Sequence, residues 1–358
     1  PGLLDLAFRS PCLAANEIKI HALSLHLSTD LMQFIGGKEG VLVTRITQFR
    51  KSYAKEMGFI LPSVVLVEDK NLKTGSYRLF FADVEIAKAT LETGAMLAIN
   101  PGHTSQSFKG QKTQDPTYKL PAIWLDKSDE PKAKAAGFTV VDPLTVLLTH
   151  FSEKVRQSAA LLLDRSQMDK MIGHLKKDHG ALVDDLIPNV VSVSLLQKVL
   201  QKLISERVSI RNMPAIIETM AEHSTQALDE IVEAVRIRLG GAICQKLMAE
   251  DDMLHVMTLA PALEARLNRL MAANDITSLN IDPKTSEQLL RSLASQMEKM
   301  LTQNKQPVLM TGRKLRGAIK WLSERSLPQL SVISVNEIPS YVEIKPVAHV
   351  DIKVINYA

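Results

Sequence analysis

Along the first ninety residues the apolar positions change period repeatedly. Ile18, Ile20, Leu23, Leu25 and Leu27 alternate with other residues, with a slip near Ala22, and predict a half-buried strand. After a turn marked by Gly36, Gly37 and Gly40, Leu42, Ile46, Phe49, Tyr53 and Met57 fall near one helical face. Gly58 follows where a left-handed cap residue belongs. SVVLVED, after Pro62, is a β-branched run that predicts a buried strand. Strand, helix, strand in this order predicts a small α/β unit. SYRLFFADVEIAKATL predicts a hairpin turning at Ala82 and Asp83, although neither is a strong turn residue.

Between Gly94 and Lys119 the breakers Gly94, Pro101, Gly102, Gly110 and Pro116 predict a loop-rich insert with short strands. Pro131 opens a short charged helix that Gly137 ends, and FTVV predicts a strand. The pattern then turns helical. Asp142 and Pro143 supply an N-cap and a first helical residue, with Leu144, Leu147, Leu148, Phe151 and Val155 on the expected apolar face. Leu196, Val199, Leu200, Leu203 and Ile204 mark a second amphipathic helix, Asn212 caps a third, and DEIVEAVRIRLGG is expected to end at its Gly pair. Short helices joined by tight turns predict an all-helical subdomain. In the last third, the strand-like runs HVMTLAP, QPVLMTG and LSVISVNEI alternate with amphipathic helices. They predict another α/β subdomain, with EIKPVAHVDIKV as an edge strand because it carries Pro346.

The expected fold class is therefore α/β plus all-α, in several subdomains. Residues 17–93 and 143–162 form the first α/β subdomain and 94–142 its inserted small subdomain. Residues 163–240 form the helical subdomain, and 241–358 the C-terminal α/β subdomain. Residues 1–16 read as a linker remnant or docking tail, and a start at Pro1 reads as that of a fragment or processed piece.

Composition narrows the function. With 46% hydrophobic and 23% charged residues, the chain has enough apolar content for sizeable cores. A net charge of +4 with scattered Lys and Arg and 4% aromatics gives no basic, ring-lined stripe, so no nucleic-acid partner is expected. Two cysteines, Cys12 and Cys244, fit a reducing compartment, and nine dispersed His make a metal site improbable. There is no apolar run of about 18 residues of the kind that spans a membrane.

No nucleophile-elbow, zinc-protease or phosphate-loop pattern occurs, and MTGRKLRG lacks the spacing to wrap phosphates. His150 beside Thr149 is better read as a packed residue than as a general base, and no cofactor is expected. Trp124 and Trp321 read as core anchors. Glu206 and Arg211 are expected to pair near a turn, while Arg207, Arg211, Arg236 and Arg238 are alternatively expected at a subunit boundary. Asp115, Pro116 and Tyr118 leave two readings open. In one, Asp115 caps a local turn while Tyr118 plugs a small core. In the other, an acid and a rigid ring form a recognition dimple.

Four blocks carry a resemblance. They are GFILPSVVLVED, the stretch from Leu97 to Phe151, VLQKLISERVSIRNM and ERSLPQLSVIS, in one order between about Glu17 and Val350. The chain resembles the cytoplasmic C-terminal domain of the type III secretion export-gate family, with its flagellar FlhA and injectisome SctV branches, and looks more like the flagellar one. The resemblance implies a docking platform, not an enzyme, at the cytoplasmic face of the bacterial inner membrane. Such a platform takes export chaperones with bound substrates and orders their delivery to the channel during flagellar assembly. The implied partners are those complexes, components of the export ATPase complex, other export-gate membrane proteins, and further copies of the chain in a homononameric ring. The implied chaperone/substrate-binding residues are Asp115 and Tyr118 in the acid–Pro–aromatic motif and Thr149 on the following helix. Leu97, Ile99 and Pro101 form the implied apolar floor, and Lys51 is the basic residue of the first helix. Where the family has Phe then Gly, this chain has Tyr118 then Lys119. Tyr118→Ala and Asp115→Ala are each expected to weaken partner binding with little loss of folding. An injectisome member, a purely structural ring component and a small-molecule enzyme remain the alternatives.

Overall fold

The computed structural model describes residues 20–34, 40–100, 108–272, 275–279 and 281–352. The expectations for residues 1–16, Ile18 and Pro101 lie outside the described residues. The chain divides into two compact units, one ending at Leu162 and the other beginning at Leu163.

In the first unit, β1 (Leu23–Leu27) is followed by α1 (Thr29–Phe34), α2 (Val41–Met57) and β2 (Val65–Glu68). A hairpin of β3 (Ser76–Phe81) and β4 (Val84–Thr90) completes a sheet of order β2-β1-β3-β4. β1 and β2 pair parallel around the α2 crossover, and the other pairs are antiparallel. Leu42, Ile46, Tyr53 and Met57 of α2 are buried, while Phe49 is half-buried. Gly58, at φ 77°, donates its N–H to the Ala54 carbonyl and closes the helix as expected. β2 departs from the fully buried strand that its composition predicts. It lies at a sheet edge and is only half-buried, because β1 flanks it on one side alone. The hairpin turns at Ala82 and Asp83 with φ 43° and 64°, the left-handed pair a tight hairpin needs.

The second sheet of this unit contains β5 (Met96–Ile99), β6 (Gln111–Gln114), β7 (Pro121–Leu125) and β8 (Thr139–Val141) in the antiparallel order β6-β7-β5-β8. The short helix α3 (Glu130–Ala135) covers it, enclosing Ala98, Leu125, Ala133 and Phe138. The long helix α4 (Pro143–Ser158) follows, with Asp142 Oδ1 accepting the Thr145 N–H at 3.0 Å. Its buried side chains are Pro143, Val146, Leu147, His150, Phe151 and Val155. Leu144 and Leu148, expected on that face, are only half-buried. The face is rotated because His150 can enter the core: its Nδ1 pairs with the Tyr77 hydroxyl at 2.7 Å, so a polar ring is satisfied there.

The second unit opens with helices α5 (Arg165–Asp178), α6 (Gly180–Leu186), α7 (Val193–Ser205), α8 (Met213–Glu222), α9 (Leu228–Arg238) and α10 (Gly240–Leu247). Asp164, Ser192 and Asn212 cap three of them with side-chain oxygens. All five predicted apolar positions of α7 are buried. The Gly pair after α9 starts α10 rather than ending a helix in open space, and a Cβ at Gly240 would lie 1.9 Å from the Glu337 carbonyl oxygen.

β9 (Leu254–Leu259), α11 (Pro261–Arg269), the short strands β10 (Met271–Ala272) and β11 (Asp275–Leu279), and α12 (Pro283–Thr302) come next. β12 (Val308–Thr311), α13 (Arg313–Glu324), β13 (Ser331–Ser334) and β14 (Ile344–Val350) end the described chain. The parallel sheet runs β13-β12-β9-β14. Pro346 sits on edge strand β14, where the register shifts before Ala348.

A buried ion network joins the helices to this sheet. Arg236 on α9 reaches Glu206 at 3.0 Å and Glu337 at 2.7 Å. Arg316 on α13 reaches Glu206 and donates from Nε to Glu233 at 2.6 Å. Burial alone would raise the Glu206 carboxyl, but Arg316 and Arg236 outweigh it and hold the group down at about 2. Two expectations are corrected. Glu206 pairs with Arg236 and Arg316 instead of the exposed Arg211, and Arg236 lies inside the chain rather than at a subunit boundary. The physical reason is that Glu206 is half-buried among cations from distant elements, while Arg211 stays exposed. A third correction concerns the tryptophans: Trp124 is buried, but Trp321 is 67% exposed.

Candidate functional site

The site grows from the turn between β6 and β7. Asp115 donates its N–H to the Leu120 carbonyl at 2.9 Å, and Lys119 donates to the Asp115 carbonyl at 3.0 Å. Asp115 Oδ2 also accepts the N–H groups of Thr117 at 3.0 Å and Tyr118 at 2.6 Å. A short acidic side chain that can bond two residues ahead suits this Asx turn. Lys119 sits at φ 61°, in the left-handed region that favours glycine. The result is a tight knuckle: Asp115 and Pro116 are buried, while the Tyr118 ring stands 48% exposed.

Facing Tyr118 is an open groove of about 300 Å3 on the surface of α4 and α2. Thr145, Leu148, Thr149, Ser152, Glu153 and Arg156 of α4 line it, with Arg45 of α2. Arg45 donates to the Thr145 hydroxyl at 3.3 Å, and that hydroxyl donates to Asp142 at 2.5 Å. The Thr149 hydroxyl turns back to the Thr145 carbonyl at 2.8 Å. Arg156 lies 5.5 Å from the Phe49 ring centroid and 5.6 Å from that of Tyr53, and pairs with Glu56 at 3.1 Å.

Behind the groove lies the Tyr77–His150 pair. Burial holds His150 down at about 4, with Lys154 and Lys119 adding to the effect, so the imidazole is neutral near pH 7. Burial raises the Tyr77 hydroxyl well above the usual phenol range, and the Asp115 charge adds to this. The pair is a satisfied internal bond and not an open general base.

Of the residues singled out in the sequence, the structure brings Tyr118 and Thr149 together at the groove. Asp115 is 3% exposed, so it shapes the turn and does not present its carboxylate to a visitor. Leu97 is fully buried in β5 opposite Trp124 and Val141, and Ile99 is half-buried in the same strand. Leu97 is therefore core, and the apolar residue lining the groove is Leu148 among hydroxyls. Lys51 is exposed on α2 but does not line the groove; Arg45 does, six positions earlier and about 120° round the helix. Thr145, Leu148, Thr149, Ser152 and Arg156 form one stripe at helical spacing, and that polar stripe was the signal available in the sequence.

Among the described residues no group of three or more His, Cys, Asp or Glu is placed to hold a metal. Burial pushes the Cys244 thiol up to about 11, which makes it a poor nucleophile. In MTGRKLRG the position a phosphate would take is occupied by Glu264, whose Oε1 accepts from the Gly312 N–H at 2.9 Å and the Thr311 hydroxyl at 3.2 Å. Among the described residues no helix is long and apolar enough to cross a membrane.

The architecture matches several solved structures. Chlamydia pneumoniae CdsV superposes with a TM-score of 0.78 at 21% identity, covering 93% of this chain and 98% of that one. CdsV in complex with CdsO gives 0.76 at 21% identity, covering 93% and 98%. The nonameric SctV-C of EPEC gives 0.74 at 23% identity, covering 93% and 99%. Sequence goes further than fold. The FHIPEP family profile matches residues 10–343, and the chain belongs to that family. The flagellar biosynthesis protein FlhA of Bacillus subtilis is 34% identical over 316 residues, which is 87% of this chain and 47% of that protein. The chain thus spans about half the length of the curated relatives it matches.

Proposed function

We propose that this chain is a docking platform of a type III protein export gate, of the flagellar branch. It binds export chaperone–substrate complexes at the cytoplasmic face of the inner membrane and orders their delivery to the channel, without catalysing a reaction. The flagellar branch is favoured because flagellar FlhA proteins match by sequence, that of Bacillus subtilis at 34% identity. The observation that carries the docking reading is the Tyr118 ring, held out beside an open groove by a buried Asp115. A half-exposed aromatic on a rigid turn gives contact area with little ordering cost, and two guanidiniums and three hydroxyls around it orient a visitor. Exchange at such a station calls for moderate affinity, since very tight complexes release slowly.

Assembly belongs to the same proposal. The nonameric state of SctV-C supports a ring of nine copies, and the CdsV–CdsO complex supports contact with a further protein, for which we propose components of the export ATPase complex. Other export-gate membrane proteins complete the set of partners. A ring and a docking groove are compatible, so a purely structural role is separated from docking only by binding. Calorimetric titration of the chain with a flagellar export chaperone carrying its substrate is the test. Saturable binding that weakens about tenfold in Tyr118→Ala is expected. Equal affinity in the two proteins removes the groove from the account.

A further inference from the structure

A second pocket, of about 150 Å3, lies in the second unit and shares no residue with the groove. It is formed where α7, α9 and α13 meet. Four carboxylates (Glu206, Asp229, Glu233 and Glu324) line it against three cations (Lys202, Arg316 and Lys320), and Arg236 also pairs with Glu206. The cations are already engaged. Lys202 pairs with Asp229, Arg316 with Glu206 and Glu233, and Lys320 donates to the Leu330 carbonyl at 3.2 Å. Acceptor capacity remains as well. Glu233 is 2% exposed, and its Oε2 has no hydrogen-bond partner, because Arg316 takes Oε1 alone. Glu324 is exposed and makes no hydrogen bond or ion pair with the described residues. Burial raises the Glu233 carboxyl above its ordinary range in spite of Arg316 and Arg236.

The rim carries the second clue. Trp321 is 67% exposed, and the residue one turn before it on α13 is Gly317, which leaves the indole's flank uncovered. An exposed indole beside unpaired carboxylates is the arrangement that holds an organic cation: the ring face attracts it and the oxygens accept its N–H groups. A planar guanidinium does both at once, better than a compact ammonium.

We propose that this pocket receives one arginine side chain of a partner polypeptide, stacked on Trp321 and hydrogen-bonded to Glu233 and Glu324. The site is small, so a single side chain is its natural ligand and a partner's further contacts supply the rest of the affinity.

The two tryptophans make the test direct. In the 15N-labelled chain the indole N–H of Trp321 reports the pocket, and that of buried Trp124 is the internal control; Trp321→Phe assigns them. The probes are the blocked tripeptides Ala-Arg-Ala, Ala-norleucine-Ala and Ala-Glu-Ala. The arginine peptide is expected to shift the Trp321 signal saturably, with half-saturation on the order of 1 mM, and to leave Trp124 in place. Glu324→Gln, on the exposed rim, is expected to raise that concentration about fivefold without changing the spectrum elsewhere. Equal shifts with the three peptides, no saturation, or an unaltered response in Glu324→Gln overturns the proposal. A Trp321 signal that moves when the chain alone is diluted places a second copy in the pocket and overturns it as well.

Discussion

Asp115 Oδ2 accepts the Tyr118 backbone N–H at 2.6 Å, and this one bond separates the fates of the two side chains: the carboxylate goes inside and the ring goes out. The acid and the aromatic, read from the sequence as joint contact residues, therefore divide their work. Asp115 is a turn anchor, and Tyr118 is the exposed surface.

Asp115→Ala leaves the Thr117 and Tyr118 N–H groups without their acceptor, at a cost of about 1–3 kcal/mol locally. Both amides are expected to exchange with deuterium at least tenfold faster in Asp115→Ala and at the native rate in Tyr118→Ala. Native protection of both amides in Asp115→Ala contradicts the anchoring role.

Lys119 holds a left-handed backbone at φ 61°. Glycine takes that conformation without the Cβ penalty of ~1 kcal/mol, partly offset by its freer unfolded chain. Lys119→Gly is expected to raise the denaturant midpoint slightly, by the equivalent of about 0.5 kcal/mol, while β-branched Lys119→Val lowers it by more than that. The transition can be followed at pH 7 by the fluorescence of buried Trp124, since exposed Trp321 changes little on unfolding. A Val variant as stable as the native chain would show that the turn relaxes.

The Tyr77–His150 pair gives the first unit a defined acid sensitivity. His150 titrates at about 4 when folded, below its ordinary 6.5. Above pH 6.5 both folded and unfolded states hold it neutral, and it contributes no pH dependence. As the pH falls below 6.5 the unfolded state takes up the proton and the folded state does not, so stability is lost until about pH 4. At pH 5 the loss is about 2 kcal/mol. His150→Gln keeps a partner for the Tyr77 hydroxyl and removes the titration. The drop in stability between pH 7 and pH 5 is expected to shrink by about that amount in the variant. An identical drop in both proteins assigns the acid sensitivity elsewhere.

Much of the fold was legible because local signals agreed with the packing. The α7 face, the Gly58 cap, the Asp142 and Asn212 caps and the edge position of Pro346 each follow from periodicity or from a single backbone requirement. The failures share a cause: a partner distant in sequence. The rotation of the α4 face depends on Tyr77, which makes His150 an acceptable core residue. Glu206 found Arg236 and Arg316 instead of its near neighbour Arg211. At the site, Tyr118 and Thr149, both implied by the resemblance, line one groove, whereas Leu97 lies in the core because an apolar strand does not reveal which of its faces meets it. Arg45 and Arg156 went unnoticed because two ordinary surface arginines acquire meaning only when α2 and α4 lie side by side.

The central claim is that visitors touch the Tyr118 ring itself. A photo-crosslinking amino acid at position 118, irradiated with a flagellar export chaperone and its bound substrate, tests this most directly. The account predicts one covalent adduct with that complex, and none when the same probe stands at the still more exposed Tyr341 of the second unit. Adducts of equal yield at the two positions, or none at 118 under conditions where calorimetry shows binding, would contradict it.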